Sequence, residues 1–284
     1  MASDLHEYID AHLENVLADY QAILRVPSIS ALSDYDEATR RGAKVVARML
    51  RECRLEHVKV IPTDGAPLVY ADWLHAPGKP TVLLYAHYDV QPVDPEHEWE
   101  TPPFEPTIKG DYIFGRGVTD DKSQLTTTIH AVGAHLDARG TLPVNVRFLI
   151  EGEEESSGAA IETYVRAHPK QLASDIVVIA DGGMPTQSQP ALHYSCRGLL
   201  YTEIVARGAR RDLHSGGYGG NAANPLFALA QIITGLKDAT GHITIPGLYE
   251  LVQPPTAAES ASWRAQEAAF LEDCLLYTSP SPRD

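Results

Sequence analysis

Cysteine is scarce in this chain of 284 residues, and long apolar runs are missing. The three cysteines, Cys53, Cys196 and Cys274, lack the spacing of a zinc-binding motif, and their odd number argues against a disulfide framework. No motif supports Cys196 as a catalytic nucleophile. No stretch is long enough to cross a bilayer, and residues 1–10 lack the apolar core of an export signal. We therefore predict a cytoplasmic protein with reduced cysteines and no membrane-spanning segment.

Positive charge is also in short supply. The chain has 23 Lys and Arg residues against 38 Asp and Glu residues, which gives a formal net charge of -15 at pH 7. Nucleic acids and anionic membranes attract basic surfaces, so neither is an expected partner. Carboxylates that bind metal cations would offset part of this negative charge.

Predicted strands and helices alternate along much of the chain. Apolar, β-branched runs at 81–90, 143–150 and 175–180 predict buried strands, and the segments 123–138 and 159–168 predict helices between them. Such alternation is typical of a parallel sheet with helices on both faces. The sequence therefore predicts an α/β fold with a doubly wound, largely parallel sheet.

The predicted strand TVLLYAHYDV, residues 81–90, carries two polar side chains at its carboxyl end. The apolar run stops at His87, and Asp89 follows two residues later. Ligands of open α/β sheets gather where such strands end. Residues i and i+2 of an extended chain share a face, so we expect Asp89 to hold one ring nitrogen of His87 and leave the other free for a metal.

Carboxylates also follow the other strands and the turn between them. Burying them together would raise the pKa of each, unless cations neutralise them. Imidazole and carboxylate ligands suit zinc or manganese, and a bridging carboxylate is typical of a pair of ions. Within this set, Glu153 is interpreted as a solvated neighbour, and Asp121 as an acidic residue that starts the next helix. The candidates are His87, Asp89, Asp120, Asp121, Glu153, Glu154, Glu155 and Asp181.

The pattern of the sequence changes after Tyr194. Residues 199–206 alternate like a half-exposed antiparallel strand, and a later helix begins with Asn224 as N-cap and Pro225 at its first position. We predict a first domain over 1–194, the start of a second over 195–273, and a non-native tail over 274–284, which looks like the translation of a sequencing-library adapter. The apolar residues that we expect this helix to bury are Leu226, Leu229, Ile232, Ile233 and Leu236.

Five motifs, in this order, resemble one family of two-metal peptidases. They are HYDVQP, GRGVTDDK, EGEEESSG, ADGG and DLHSGGYGG. The family includes carnosinase, carboxypeptidase G, aminoacylase and acetylornithine deacetylase, and the first and last motifs are most similar to its cytosolic dipeptidase branch. The resemblance implies that 1–194 is a catalytic domain and that an inserted α+β lid and dimerisation domain, incomplete here, begins at 195.

The resemblance implies a role for each matching residue. His87 and Asp181 would bind a first metal ion, Glu155 would bind a second, and Asp120 would bridge the two. Glu154 would be the general base, which fits a carboxylate beside a metal-activated water. The implied ions are zinc, with manganese as the alternative.

Two further expectations come from the same resemblance. The peptide bond between Asp120 and Asp121 is expected to be cis. His214 is expected to reach the active site of a partner subunit and to stabilise the oxyanion of the tetrahedral intermediate, which implies a homodimer.

The implied activity is metal-dependent hydrolysis of the amide bond of dipeptides or short peptides. An N-acyl-amino-acid deacylase of the same family and an inactive binding homologue remain open. The family also has a final His ligand and an Arg for the substrate carboxylate that have no counterpart in this chain. We therefore expect the chain as written to be inactive or poorly folded.

Overall fold

The computed structural model describes residues 3–156, 158–184, 191, 193 and 198–278. They fall into two compact units, Met1–Gly183 and Met184–Asp284. The predicted domain limits at 194 and 273 stay predictions, and Cys196 lies outside the described residues. Within these ranges, no helix combines the length and the apolar character that crossing a membrane requires.

The first unit contains five α-helices, two short 3-10 helices and seven strands among its described residues. The strands and helices predicted between 81 and 180 are present, with small shifts at their ends. The predicted burial of the strand at 175–180 is wrong, because Ile176–Ile179 form an edge strand of the sheet and all four residues are exposed. In chain order the elements are α1 (Ser3–Ala11), α2 (Leu13–Leu24), α3 (Asp36–Glu52), β1 (Glu56–Ile61), β2 (Leu68–Trp73), β3 (Thr81–His87), β4 (Thr107–Lys109), β5 (Tyr112–Phe114), α4 (Lys122–Arg139), β6 (Asn145–Glu151), α5 (Ala159–Ala167) and β7 (Ile176–Ile179).

Five of these strands form one mixed sheet in the order β1-β2-β6-β3-β7, and β4 and β5 form a separate hairpin. The pairs β1–β2 and β2–β6 are antiparallel, whereas β6–β3 and β3–β7 are parallel. The parallel part therefore consists of the strands that carry the motifs at their ends. His87 pairs with Glu151 of β6, and Tyr85 pairs with Ile179 of β7, so the carboxyl ends of these strands share one edge.

Helices cover both faces of the sheet, because the side chains of a strand point alternately to its two faces. On one face, Val69 and Ala71 of β2 belong to a large core with α2, α3 and α4. On the other face, Leu68 and Tyr70 belong to a smaller core that α5 closes. The predicted α/β architecture with helices on both faces of the sheet is thus confirmed. The sheet is mixed rather than largely parallel, since two of its four strand pairs are antiparallel.

The second unit contains three helices among its described residues: α6 (Ser215–Tyr218), α7 (Pro225–Gly235) and α8 (Ala257–Thr278). The predicted start of α7 is confirmed, since the Asn224 side chain accepts from the backbone N–H of Leu226 at 2.9 Å. The predicted strand at 199–206 is wrong, because no described strand of this unit lies beside it and a ladder needs a partner. The predicted burial along α7 is also wrong: Leu226 is 73% exposed and Ile233 is 54% exposed.

Candidate metal centre

The carboxyl end of β3 holds a fully buried imidazole. His87 Nδ1 lies 3.2 Å from Asp89 Oδ1, and the predicted contact between these residues is confirmed. Tyr88, between them, points the other way and is fully buried, where its hydroxyl donates to the carbonyl of Pro67 at 2.6 Å. This anchor fixes the end of the strand and leaves Nε2 of His87 facing the other strand ends.

Two carboxylates approach the free ring nitrogen. Asp120, in the turn before α4, places Oδ1 2.9 Å from His87 Nε2, and Asp181, just after β7, places Oδ2 3.7 Å from it. Ligand atoms of the three residues all lie within 4.8 Å of one another. The side chain of Asp120 is 60% exposed and that of Asp181 is 29% exposed, so the group opens to solvent on its carboxylate side.

Asp89 also holds the loop that follows β6. Its Oδ1 accepts from the backbone N–H of Glu154 at 3.3 Å, and its Oδ2 accepts from that of Glu155 at 3.1 Å. The hydroxyl of Ser30 donates to Oδ2 at 2.6 Å. One buried carboxylate therefore links the imidazole to the two glutamates that follow the neighbouring strand.

Glu154 and Glu155 differ in their surroundings. Glu155 is half-buried, and its Oε2 accepts from the side chain of Gln91 at 2.7 Å. It stands outside the compact group of His87, Asp120 and Asp181. Glu154 is exposed, which suits a group that exchanges protons with substrate or water.

The residues of this group carry strongly perturbed acidities. Burial lowers the pKa of His87, but the hydrogen bond to Asp89 and the surrounding carboxylates outweigh it and raise the pKa to about 10. Burial is the main cause that raises the pKa of Glu154, Glu155 and Asp181, and neighbouring carboxylates add to it. His87 opposes the rise at all three, and the hydrogen bond from Gln91 opposes it at Glu155. A divalent cation would displace the proton from the ring and offset the negative charges. The donor set therefore fits a zinc- or manganese-type ion.

Comparisons with known proteins agree with this geometry. Residues 83–276 match the model of peptidase family M20/M25/M40. The chain belongs to this family. The match includes both Asp120 and Asp181, and it begins four residues before His87.

Named members of the M20/M25/M40 family show how much of their length the chain represents. It is 34% identical to human Beta-Ala-His dipeptidase over 86% of this chain and 48% of that protein. It is 34% identical to the Cys-Gly metallodipeptidase dug1 of Schizosaccharomyces pombe over 90% of this chain and 56% of that protein. The structure of the M20 metallo-carboxypeptidase Sso-CP2 of Sulfolobus solfataricus superposes with a TM-score of 0.73 at 29% identity, covering 93% of this chain and 60% of that one. The chain thus spans about half the length of the curated relatives it matches.

The side chain of Asp121 makes a different contact from the one predicted. It lies immediately before α4, as expected, but its side chain makes no capping hydrogen bond. Its Oδ2 instead accepts from the backbone N–H of His87 at 3.1 Å, and burial raises its pKa to about 7. The Asp120–Asp121 peptide bond is cis, as the resemblance implied.

Glu153 is not the freely solvated neighbour that the sequence predicted. It is half-buried, and its Oε1 accepts from the backbone N–H of Ala66 at 2.9 Å, which ties the loop after β6 to the turn before β2. The roles of Glu154, Asp89 and His214 in catalysis, and of His87, Asp120, Glu155 and Asp181 as ligands, remain predictions. His214 is an exposed residue of the second unit, where its Nδ1 accepts from Gly216 N–H at 3.0 Å.

Sequence reasoning missed two buried groups beside the site. Glu151, the last residue of β6, accepts from the hydroxyl of Tyr85 at 2.6 Å. Lys122 is fully buried, donates to the carbonyl of Val26 at 2.8 Å, and has its pKa lowered by burial to about 7. Glu151 could have been predicted, because it ends an apolar strand just as His87 does. Nothing in the sequence indicates that Lys122 is buried.

Proposed function

We propose that the protein is a metal-dependent hydrolase that cleaves the amide bond of dipeptides or other short peptides. The observation that carries the proposal is the convergence of His87, Asp120 and Asp181, delivered by separate elements to one edge of the sheet. The names of its relatives, Beta-Ala-His dipeptidase and Cys-Gly metallodipeptidase, support the choice of substrate. A cytoplasmic location, expected from the scarce cysteines, belongs to the same proposal.

The residues present would hold two divalent cations, zinc with manganese as the alternative. His87 and Asp181 would bind the first ion, Glu155 the second, and Asp120 both. When bound, such ions lower the pKa of water and polarise a carbonyl group. Asp89 would keep His87 in the tautomer that presents Nε2, because it occupies Nδ1.

Glu154 is assigned the transfer of the proton. It is exposed, and its raised pKa favours a carboxylate that can accept a proton near neutral pH and release it again. It would take a proton from the attacking water and deliver it to the nitrogen of the leaving amine. The same residue thus serves both halves of the reaction, and the carboxyl and amine products need no further proton donor.

Hydrolysis assays on the protein produced from its complete open reading frame test this proposal. Dipeptides, N-acetyl amino acids and longer peptides are supplied in parallel, before and after metal removal. We expect dipeptides to be cleaved fastest, chelation to abolish cleavage, and zinc or manganese to restore it. Faster cleavage of N-acetyl amino acids would replace the dipeptidase with a deacylase, and bound metal without any hydrolysis would favour an inactive binding homologue.

We also propose a homodimer in which His214 serves the partner's active site. Mixing Glu154→Gln and His214→Ala subunits tests this arrangement, because a mixed dimer would then contain one intact site. Random pairing should restore about one quarter of the wild-type activity. No recovery on mixing, with dimers shown by sedimentation, would place His214 in its own subunit's site or outside catalysis.

A further inference from the structure

A second group of imidazole and carboxylate side chains lies on β1, on β2 and just after β2, away from the site at the end of β3. It consists of Glu56, His57, Asp72 and His75. Asp72 pairs with Arg147 of β6, which pairs with Leu83 of β3, four residues before His87. With strands about 4.8 Å apart and about 3.3 Å of rise per residue, the two groups are separated by roughly 15 Å.

The donors of this second group are close together. His57 Nδ1 lies 2.7 Å from Asp72 Oδ1, and ligand atoms of Glu56, His57 and Asp72 all fall within 4.8 Å of one another. His75 Nε2 lies 2.8 Å from Glu56 Oε2 and brings a second imidazole to the group. Ligand atoms around a tetrahedral zinc ion with bonds of about 2.0–2.1 Å are about 3.3 Å apart, so modest side-chain rotation would accommodate an ion.

The backbone of β1 is irregular where it supplies two of these donors. Adjacent residues of a regular strand point to opposite faces, yet Glu56 and His57 both reach Asp72. The pairing register between β1 and β2 shifts between Glu56 and Lys59, and His57 has φ of 50°, a left-handed conformation rare outside glycine. Bulges of this kind re-aim side chains, and strained residues cluster where ligands bind.

Asp72 is held in place for this arrangement. Its side chain is only 8% exposed, and its Oδ2 accepts from the hydroxyl of Tyr70 at 2.8 Å. Oδ1 is left to face His57. An oriented, nearly buried carboxylate beside the exposed imidazole of His57 resembles the hydrogen-bonded support that metal ligands receive in proteins.

We propose that Glu56, His57, Asp72 and His75 form a second divalent-cation site, of the imidazole and carboxylate type that binds zinc. The ion would link β1, at one edge of the sheet, to Asp72 of β2 and to His75, which follows β2. This site takes no part in the proposed hydrolysis. Its occupation would stabilise the first unit, because binding to the folded state alone raises the free energy of unfolding.

Zinc stoichiometry tests the proposal. The full chain is dialysed against a zinc buffer and the bound metal is measured by elemental analysis, for wild type, His57→Asn, Glu56→Gln and the control His6→Gln. Asparagine tolerates positive φ and lacks the imidazole, so His57→Asn preserves the backbone. We expect His57→Asn and Glu56→Gln to hold one zinc ion fewer per chain than wild type, and His6→Gln to hold the same number.

An Asp181→Asn variant separates this site from the one at the end of β3. Its loss of metal should add to that of His57→Asn in the double variant, because distant sites act independently. Zinc should also raise the melting temperature of Asp181→Asn more than that of the double variant. If Glu56→Gln and His57→Asn both hold as much zinc as wild type, the group consists only of two ion pairs and the proposal is overturned. This conclusion does not depend on the outcome of the peptidase assays.

Discussion

The backbone N–H of Glu155 donates to Oδ2 of Asp89 at 3.1 Å. This bond joins the loop after β6 to the end of β3, whose His87 contacts the other oxygen of the same carboxylate. Asp89 is therefore the common support of the ring and of the glutamate loop, although it is itself fully buried and too far inside to meet a substrate.

Replacing Asp89 should weaken metal binding without removing a proposed ligand. In Asp89→Asn, one oxygen becomes an NH₂ group that cannot accept from the loop or from Ser30. We expect zinc affinity to fall about 10- to 100-fold. Titration calorimetry on the metal-free protein measures the change. Glu153→Gln is the matched control, since a glutamine can still accept from Ala66; equal losses in both variants would contradict the assigned role of Asp89.

Removing the carboxylate of Glu154 should stop turnover and leave metal binding intact. Glu154→Gln is nearly the same shape but cannot accept a proton, so in the protein produced from the complete open reading frame we expect kcat for a dipeptide to fall by about 10²- to 10⁴-fold. The metal content of the variant should equal that of wild type. Glu153→Gln, one position away, should keep near-normal kcat. A Glu154→Gln enzyme with normal kcat would assign the proton transfer to another group.

Metal affinity should depend steeply on pH. In the metal-free protein the pKa of His87 is raised to about 10, so the ring is protonated throughout the neutral range. A metal must displace this proton, and its apparent affinity should therefore rise about tenfold per pH unit between pH 6 and 8. Zinc titrations in buffers of different ionisation enthalpy would report the released proton. Affinity that stays constant over this range would show that the ring is already neutral.

A methyl group at Gly152 should destabilise the end of β6. A Cβ there would lie 2.3 Å from Cζ and 2.4 Å from the hydroxyl oxygen of Tyr88, a ring that is fully buried. We expect Gly152→Ala to lower the free energy of unfolding by about 1–3 kcal/mol. Urea denaturation measures it. Gly183→Ala is the control, because no heavy atom of the described residues lies within 4 Å of its added Cβ, and an equal loss there would refute the steric explanation.

The convergence at the sheet edge could be predicted because it depends on few assumptions. An apolar run that ends in His87, and another that ends just before Asp181, place polar groups together whenever the two strands are parallel neighbours, and β3 and β7 are. The contact of His87 with Asp89 follows from the alternation of a strand alone. Both predictions depend on the local pattern of apolar and polar residues, which can be read from the sequence.

Other features depend on distant parts of the chain and escaped prediction. The antiparallel placement of β2 beside β6 leaves no local signal in either strand. The position of Asp121 before α4 predicted a role at the start of the helix. Its side chain instead accepts a hydrogen bond from the backbone N–H of His87, a residue 34 positions earlier in the chain. The alternation at 199–206 predicted a strand, yet pairing requires a neighbour that the described residues of the second unit do not supply.

The irregular backbone of β1 has a consequence for how this molecule meets its own copies. A regular edge strand offers an unbroken row of N–H and C=O groups on which a strand from another chain can dock, the first step toward aggregation. At His57 the row is interrupted, because the residue has a positive φ and the pairing register shifts between Glu56 and Lys59. This interruption disfavours edge-to-edge growth at this border of the sheet, whether or not a cation binds beside it.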